Sequence, residues 1–347
     1  MTERDVNLDR LRATAIALVV ASHVGQMWPT PLPGVTRFTA LGAYGVDLFF
    51  ALSGWLIGGL FWREMSARGN VQVPRFVLRR VLRTVPCYLV ALALAWGAVR
   101  VAEPQRAGFD WRYLFFLQNY EQTMPYFLVS WSLCIEEHFY LLMPIVMVLV
   151  CRLRPGLPAK LWPLCFLPWV LRSLRPPETI GMFGMPWTAT HLRFEGLLAG
   201  VLAAWVARND AAAWTSIVRW AKVLVVPLLG AGVIVFYVSH HYFYVAGLTF
   251  MTLGFLSLLV AGVGARPRTG RGHRFVKAVA VGSYSGYLTH ALMIHLARRT
   301  IARFAIESSL LRLAIFGALI AGGATAFFWF VERPSLAVRD RLAPARR

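Results

Sequence analysis

The chain has 347 residues, 58% of them hydrophobic and 15% charged, with a mean hydropathy of +0.57. A soluble domain carries about 45–50% apolar and about 25% charged residues, so this chain has too few charges to cover its own surface, which excludes a soluble α/β enzyme, disorder and a disulfide scaffold. Its net charge of +20 lies in short runs between long apolar stretches, the pattern of a polytopic membrane protein rather than of a nucleic-acid groove.

A membrane span needs about 20 largely apolar residues at about 1.5 Å each. Ten are predicted in chain order, at residues 11–28, 42–62, 84–101, 131–151, 159–174, 189–207, 217–238, 244–264, 276–297 and 311–332. The first is read as a span rather than a cleaved signal, because the apolar run passes Val19-Val20-Ala21 and further spans follow. The fifth is short and carries Pro163 and Pro168. No repeat or linker divides the chain, so residues 1–347 are read as one membrane domain. Of the Lys and Arg residues, 25 fall on the side that holds both termini and 10 on the other, which predicts cytoplasmic termini and an all-α bundle of about ten transmembrane helices. Cys87, Cys134, Cys151 and Cys165 lack metal-ligand spacing and are read as buried thiols; no metal site is expected.

A charged side chain at mid-bilayer costs about 2.5–3.5 kcal/mol on insertion scales, so each one needs a reason. In the first span Arg12 and His23 are eleven residues apart, within about 20° of one face and about 16 Å along the axis. Asp47 lies five residues from the outer start of the second span at Gly42, at a depth expected to match that of His23. The fourth span brings Trp131 and the adjacent acids Glu136 and Glu137, the sixth His191, Arg193 and Glu195, and the ninth Tyr284, Tyr287, His290 and His295. Each has an ordinary reading as well: a histidine that packs, an Asp47 that caps a helix, a Ser53-Gly54 pair that lets helices approach. Glu136 and Glu137 resist such a reading, since neighbouring side chains point about 100° apart and cannot use one structural partner. Jointly these groups favour a polar cavity in the outer half of the membrane. On the cytoplasmic side Arg75, Arg79, Arg80 and Arg83 serve the positive-inside rule and headgroup contact, but Arg79/Arg80 and Arg83 lie a turn apart just before Pro86 and form a forked anion site, suited to a phosphorylated donor such as a coenzyme A thioester.

The motifs Arg12-x10-His23, Gly45-Val46-Asp47-Leu48-Phe49-Phe50-Ala51-Leu52-Ser53-Gly54-Trp55-Leu56-Ile57, Arg80-x-x-Arg83, Ser130-Trp131-Ser132-Leu133-Cys134-Ile135-Glu136-Glu137-His138-Phe139-Tyr140, Ser283-Tyr284-Ser285-Gly286-Tyr287-Leu288-Thr289-His290 and Glu332-Arg333-Pro334 occur in this order. Together they resemble the bacterial acyltransferase 3 family of membrane-bound O-acyltransferases, over about Leu8 to Arg341. The resemblance implies transfer of an acyl group, commonly acetyl, from acyl-CoA as co-substrate to a hydroxyl of a surface polysaccharide, a lipid-linked saccharide or another glycoside, in the bacterial cytoplasmic (inner) membrane. It implies no bound zinc or nucleotide cofactor and no nucleic-acid partner. Arg12 with His23, and Arg80 with Arg83, match the family's hallmarks. Trp55 and His138 stand where Phe and Gln are common, and Leu292 where Pro is common, which bears on acceptor fit. The hydrolase-like periplasmic domain fused to some members is expected to be absent, since the sequence stops at Arg347.

The chemistry is consistent with this. A hydroxyl needs a base of near-neutral pKa, which imidazole supplies. His23 is the expected base, oriented by Asp47 or by Glu136 or Glu137. Arg12, Arg80 and Arg83 are the expected donor-binding residues, and Trp131, Arg193, Glu195, Tyr287 and His290 the expected acceptor-side cavity. Direct transfer is expected rather than an acyl-enzyme on Ser53, which lies about 9 Å deeper than Asp47. The competing reading is a proton-coupled exporter of a sugar or lipid built on the same His/acid cluster; a third makes these residues packing pairs only.

Overall fold

The computed structural model of the chain describes residues 5–28, 33–106, 108–121, 123–153, 156–174, 187–267, 269–270 and 272–344. Among these every regular element is helical: α1 (Val6–Gln26), α2 (Pro33–Ala40), α3 (Gly45–Arg68), α4 (Val73–Ala102), α5 (Trp131–Leu153), α6 (Leu167–Ser173), α7 (Glu195–Asn209), α8 (Ala211–Val238), α9 (His240–Tyr242), α10 (Leu248–Val263), α11 (His273–Val281), α12 (Ser283–Arg303), α13 (Ser309–Phe327) and α14 (Arg333–Leu342). Local chemistry sets several ends. The Asp5 carboxylate caps α1 by accepting from Asn7 N at 2.8 Å, and Gly69, at φ 69°, ends α3 in the left-handed conformation.

Six helical stretches are long and apolar enough to cross a membrane: Gly34–Arg68, Val73–Ala102, Leu128–Leu153, Ala211–Val238, His240–Val263 and Ser309–Leu342. Of the other four expected spans, α1 and α12 have 21 residues each but are more polar. The sixth is cut to the 15 residues of α7, preceded by a 3-10 turn at Thr190–Leu192. The fifth is broken by its prolines: two 3-10 segments, Leu157–Lys160 and Trp162–Phe166, lead into the seven-residue α6, with Pro158, Pro163 and Pro168 each opening one piece. Arg4, Arg154, Arg175, Arg268, Arg271, Arg346 and Arg347, all among the charges behind the predicted orientation, lie outside the described residues.

The polarity of the bundle is inverted, as a lipid solvent requires. Leu142, Ile145 and Leu149 of α5 and Val223 and Val226 of α8 face outward, whereas Asp47, Arg172, Arg193, Glu195 and His290 are buried. Close approach of α3 and α7 makes this interior possible. A Cβ at Gly54 would overlap the Leu197 carbonyl, and one at Gly200 the Ala51 carbonyl.

The second expected span does not begin at Gly42. Helix α2 continues through the 3-10 turn Leu41–Tyr44 into α3, so the chain is helical for a further two turns outward. Its register against α1 follows from two contacts: Ser22 Oγ donates to the Ala40 carbonyl at 3.4 Å, and Gly45 packs on Ala15. Asp47 therefore lies level with the middle of α1, roughly 13 Å deeper than His23, which corrects the common depth expected for the two.

Candidate active site

Helices α1, α3, α4, α5 and α12 enclose a cavity of about 110 Å³. Arg12, Arg80 and Arg83 enter it from α1 and α4, Ser53 from α3, Glu136 and Tyr140 from α5, and Tyr284 and Tyr287 from α12. The geometry follows from helical spacing. Arg80 and Arg83 are a turn apart and both line the cavity, while Arg79, about 100° round α4, turns away to Asp340 of α14 at 3.5 Å and to the Ala343 carbonyl. The Arg79/Arg80/Arg83 fork of the sequence is thus reduced to its last two members, joined by Arg12, which lies 3.7 Å from Asp9. Arg75, the first of the four, bonds the Pro344 carbonyl.

The two adjacent acids diverge as helical geometry demands. Glu136 faces the cavity, accepting from Ser53 Oγ at 3.2 Å and from the Tyr140 hydroxyl at 2.7 Å. Glu137 is buried beside Thr84 of α4. Contact with Ser53 places Glu136 level with the deeper end of the second motif and among the arginines. Three cations and one acid make the cavity cationic, a setting for a polyanionic ligand.

Tyr287 forms one wall of the cavity. Its hydroxyl donates to the Val129 carbonyl at 2.9 Å and shares a 2.6 Å bond with Ser132 Oγ, tying α12 to the start of α5. Its ring also lies 5.6 Å from His290, whose ring meets His23 edge-on at 4.9 Å. His23 Nδ1 is 2.9 Å from the Val19 carbonyl, and His290 Nδ1 is 2.7 Å from the Tyr287 carbonyl. A carbonyl can only accept, so Nδ1 carries the hydrogen on both rings, and in the neutral imidazole the basic lone pair is the one on Nε2. His290 is fully buried, and its Nε2 has no hydrogen-bond partner among the described residues. His290, expected in the acceptor-side cavity, is therefore the neighbour of the expected base.

Asp47 is not placed to orient His23. It accepts from Arg193 Nη2 at 2.9 and 3.1 Å and from Thr252 Oγ1 at 3.0 Å, and a backbone carbonyl takes the orienting position at His23 instead. The reason is the register described above. The Asp47–Arg193 pair, with Thr252, clamps α3 and α10 to the turn that leads into α7, where loss of one partner strands a buried charge at about 3–5 kcal/mol. Arg193 also lies 5.3 Å from the Trp131 ring and 5.9 Å from Trp187. Glu195 makes a second clamp with Arg172 at 2.8 Å, and Arg172 Nη2 donates to Thr249 at 2.7 Å. Trp131, Arg193 and Glu195 thus form a buried ion-pair and aromatic layer beside the cavity. His138, one of the departures from the family pattern, faces Thr190 Oγ1 at 2.7 Å on the opposite side of α5 from the cavity.

Sequence reasoning places Tyr284 with the polar groups of the ninth span and weighs Ser53 only as a nucleophile, but it does not bring Tyr140, Arg172 or Thr252 into these clusters. Tyr140 was accessible, being four residues after Glu136 on the same face. Arg172 is one of the ten basic residues that the sequence assigns to the outer side, and nothing in its spacing pairs it with Glu195. Cys87, Cys134 and Cys165 are buried and all four cysteines are free thiols. Among the described residues no group of three or more His, Cys, Asp or Glu side chains gathers as a metal site requires.

Residues 5–331 match the sequence model of an acyltransferase domain family. A Staphylococcus aureus (strain COL) protein named "Putative O-acetyltransferase SACOL0978" is 28% identical over 221 residues, which cover 57% of this chain and 34% of that protein. The O-acetyltransferase OatA of S. aureus (strain NCTC 8325 / PS 47) is 30% identical over 166 residues, 43% of this chain and 26% of the relative. The matched stretch thus spans about a third of the length of the first relative and about a quarter of the second. No solved structure matches the chain.

Proposed function

The chain belongs to the acyltransferase family whose domain model it matches over nearly its whole length, and from that premise we propose that it is an O-acetyltransferase of the bacterial cytoplasmic membrane. In this reading it takes acetyl from acyl-CoA on the cytoplasmic side and delivers it to a hydroxyl of a surface polysaccharide, lipid-linked saccharide or other glycoside. About ten membrane-embedded segments carry it, with both termini in the cytoplasm. The relatives named O-acetyltransferases support acetyl as the group. The observation that carries the proposal is the chain of contacts from the arginine cavity through Tyr287 to His290 and His23.

Arg12, Arg80 and Arg83 hold the phosphates of the donor, the two α4 guanidiniums by charge-assisted forks. The thioester extends toward the Tyr287–Ser132 wall. His23 Nε2 accepts the proton of the acceptor hydroxyl as its oxygen bonds to the thioester carbon. Collapse of the tetrahedral intermediate breaks the carbon–sulfur bond, and the departing thiolate recovers the proton from His23. Glu136, bonded to Ser53 and Tyr140 among the arginines, shapes the donor end rather than serving His23.

The test is turnover of acetyl-CoA by the purified protein in liposomes. Release of free coenzyme A only when a glycan acceptor is present is expected. No release under any acceptor, together with acceptor movement across the bilayer, would replace the enzyme by an exporter.

A further inference from the structure

A second cleft, of about 730 Å³, opens on the outside of the bundle between α1, α11, α12 and α13. It falls within the roughly 300–1,000 Å³ of clefts that hold small ligands. Its walls are apolar, including Val20, Ile320 and Ala321, and the charged residues lining it are two cations, Arg274 and Lys277 of α11. At the α11 end Trp329 also lines the cleft, and the Arg333 guanidinium lies 4.4 Å from its ring. Basic side chains beside an indole are what a membrane–water interface collects. From Trp329, in the helical turn after α13, to Gly317 within it, the groove follows about twelve residues, roughly 18 Å, close to the half-thickness of a ~30 Å hydrocarbon core. A groove about one leaflet long, apolar along its length and cationic at its interfacial end, has the form of a single lipid.

From this we infer that the cleft is a site for an anionic phospholipid, its phosphate on Arg274 and Lys277 and one acyl chain laid along α13 past Ala321 to Gly317. Ser283 lines both this cleft and the arginine cavity, so the bound lipid forms part of the outer support of that cavity. Zwitterionic lipid fits the apolar groove but leaves the two cations without a net negative partner. Lipid binding does not depend on the acetyl-transfer reading, and its readout does not use activity.

Native mass spectrometry of the full chain, released from detergent after incubation with phosphatidylglycerol or phosphatidylcholine of the same chains, tests the site. Preferential retention of one phosphatidylglycerol is expected. Arg274→Gln and Lys277→Gln should each lower that retention about fivefold and together about thirtyfold, from about 1 kcal/mol per basic residue near an anionic surface. Gly317→Leu should abolish it without disturbing the fold, since a Cβ at Gly317 meets no atom within 4 Å. Excess inorganic phosphate should not displace the lipid, because it lacks the chain that fills the groove. Equal retention of the two lipids, full displacement by inorganic phosphate, or unchanged retention in Gly317→Leu would each overturn the site. So would a wild-type dimer that becomes monomeric in Gly317→Leu, which would show a second copy of the chain as the occupant.

Discussion

His23 keeps its hydrogen on Nδ1 by donating to the Val19 carbonyl, so a base lone pair stands on Nε2 without help from an acid. His23→Ala removes that base and, at general-base magnitudes, should lower acetyl transfer by about 10²–10⁴ while the protein still inserts. Turnover above a tenth of wild type, at equal expression in membranes, would exclude His23 from the role. The arginines make a separate case. Lysine in place of Arg80 or Arg83 keeps the charge but loses the planar fork, and a charge-assisted bond contributes about 1.5–3 kcal/mol, so each change should raise the apparent acetyl-CoA constant about ten- to a hundredfold. The acceptor constant should hardly move. Arg79→Lys is the internal control: its guanidinium is engaged by Asp340 and the Ala343 carbonyl outside the cavity, and donor affinity should stay as it was.

Helix α3 shows how one element serves two purposes. Its Asp47 face is locked to α7 and α10, while Ser53 and Phe49 look into the arginine cavity. The locking depends on backbone proximity, which makes glycine positions on a single helix separable. Gly54→Ala places a methyl group on the Leu197 carbonyl and should destabilise the protein by about 1–3 kcal/mol, as overpacking does. Gly59→Ala on the same helix meets nothing within 4 Å and should be neutral or stabilising by about 0.5–1 kcal/mol, because alanine is the better helix former. Thermal unfolding of the two variants in one detergent checks the pair. If they melt together, α3 and α7 do not approach as closely as described.

Across the whole molecule, two contacts join basic segments that are far apart in the chain. Asn7 at the start of α1 donates to the Ala265 carbonyl at 3.0 Å, next to the basic stretch leading into α11, and the start of α4 is tied to α14 through Arg79 and Asp340. The sequence count of 25 basic residues to 10 predicts that this end is cytoplasmic. A reporter fused at Arg347, which lies outside the described residues, should therefore read cytoplasmic, and one at Ser239, between α8 and α9, periplasmic. Opposite readings at both sites would invert the proposed sides of donor and acceptor.

From sequence alone came the helical membrane character, the faces on which charges lie and the divergence of Glu136 from Glu137. All are properties of a single helix, and a 3.6-residue period together with the cost of burying charge in lipid is enough to read them. Arg80 and Arg83 were legible for the same reason, being one turn apart on one helix. What only the tertiary structure decided is which groups meet. Asp47 belongs to Arg193 and Thr252, Glu195 to Arg172, Glu136 to Ser53 and Tyr140, and His23 to His290. Depth counted from the end of an apolar run assumes that every span starts at the same interface. The continuation of α2 into α3 breaks that assumption, and the contacts of Gly45 and Gly54 reset the register. Such offsets arise from backbone-to-backbone packing between helices, which hydropathy along one helix does not encode.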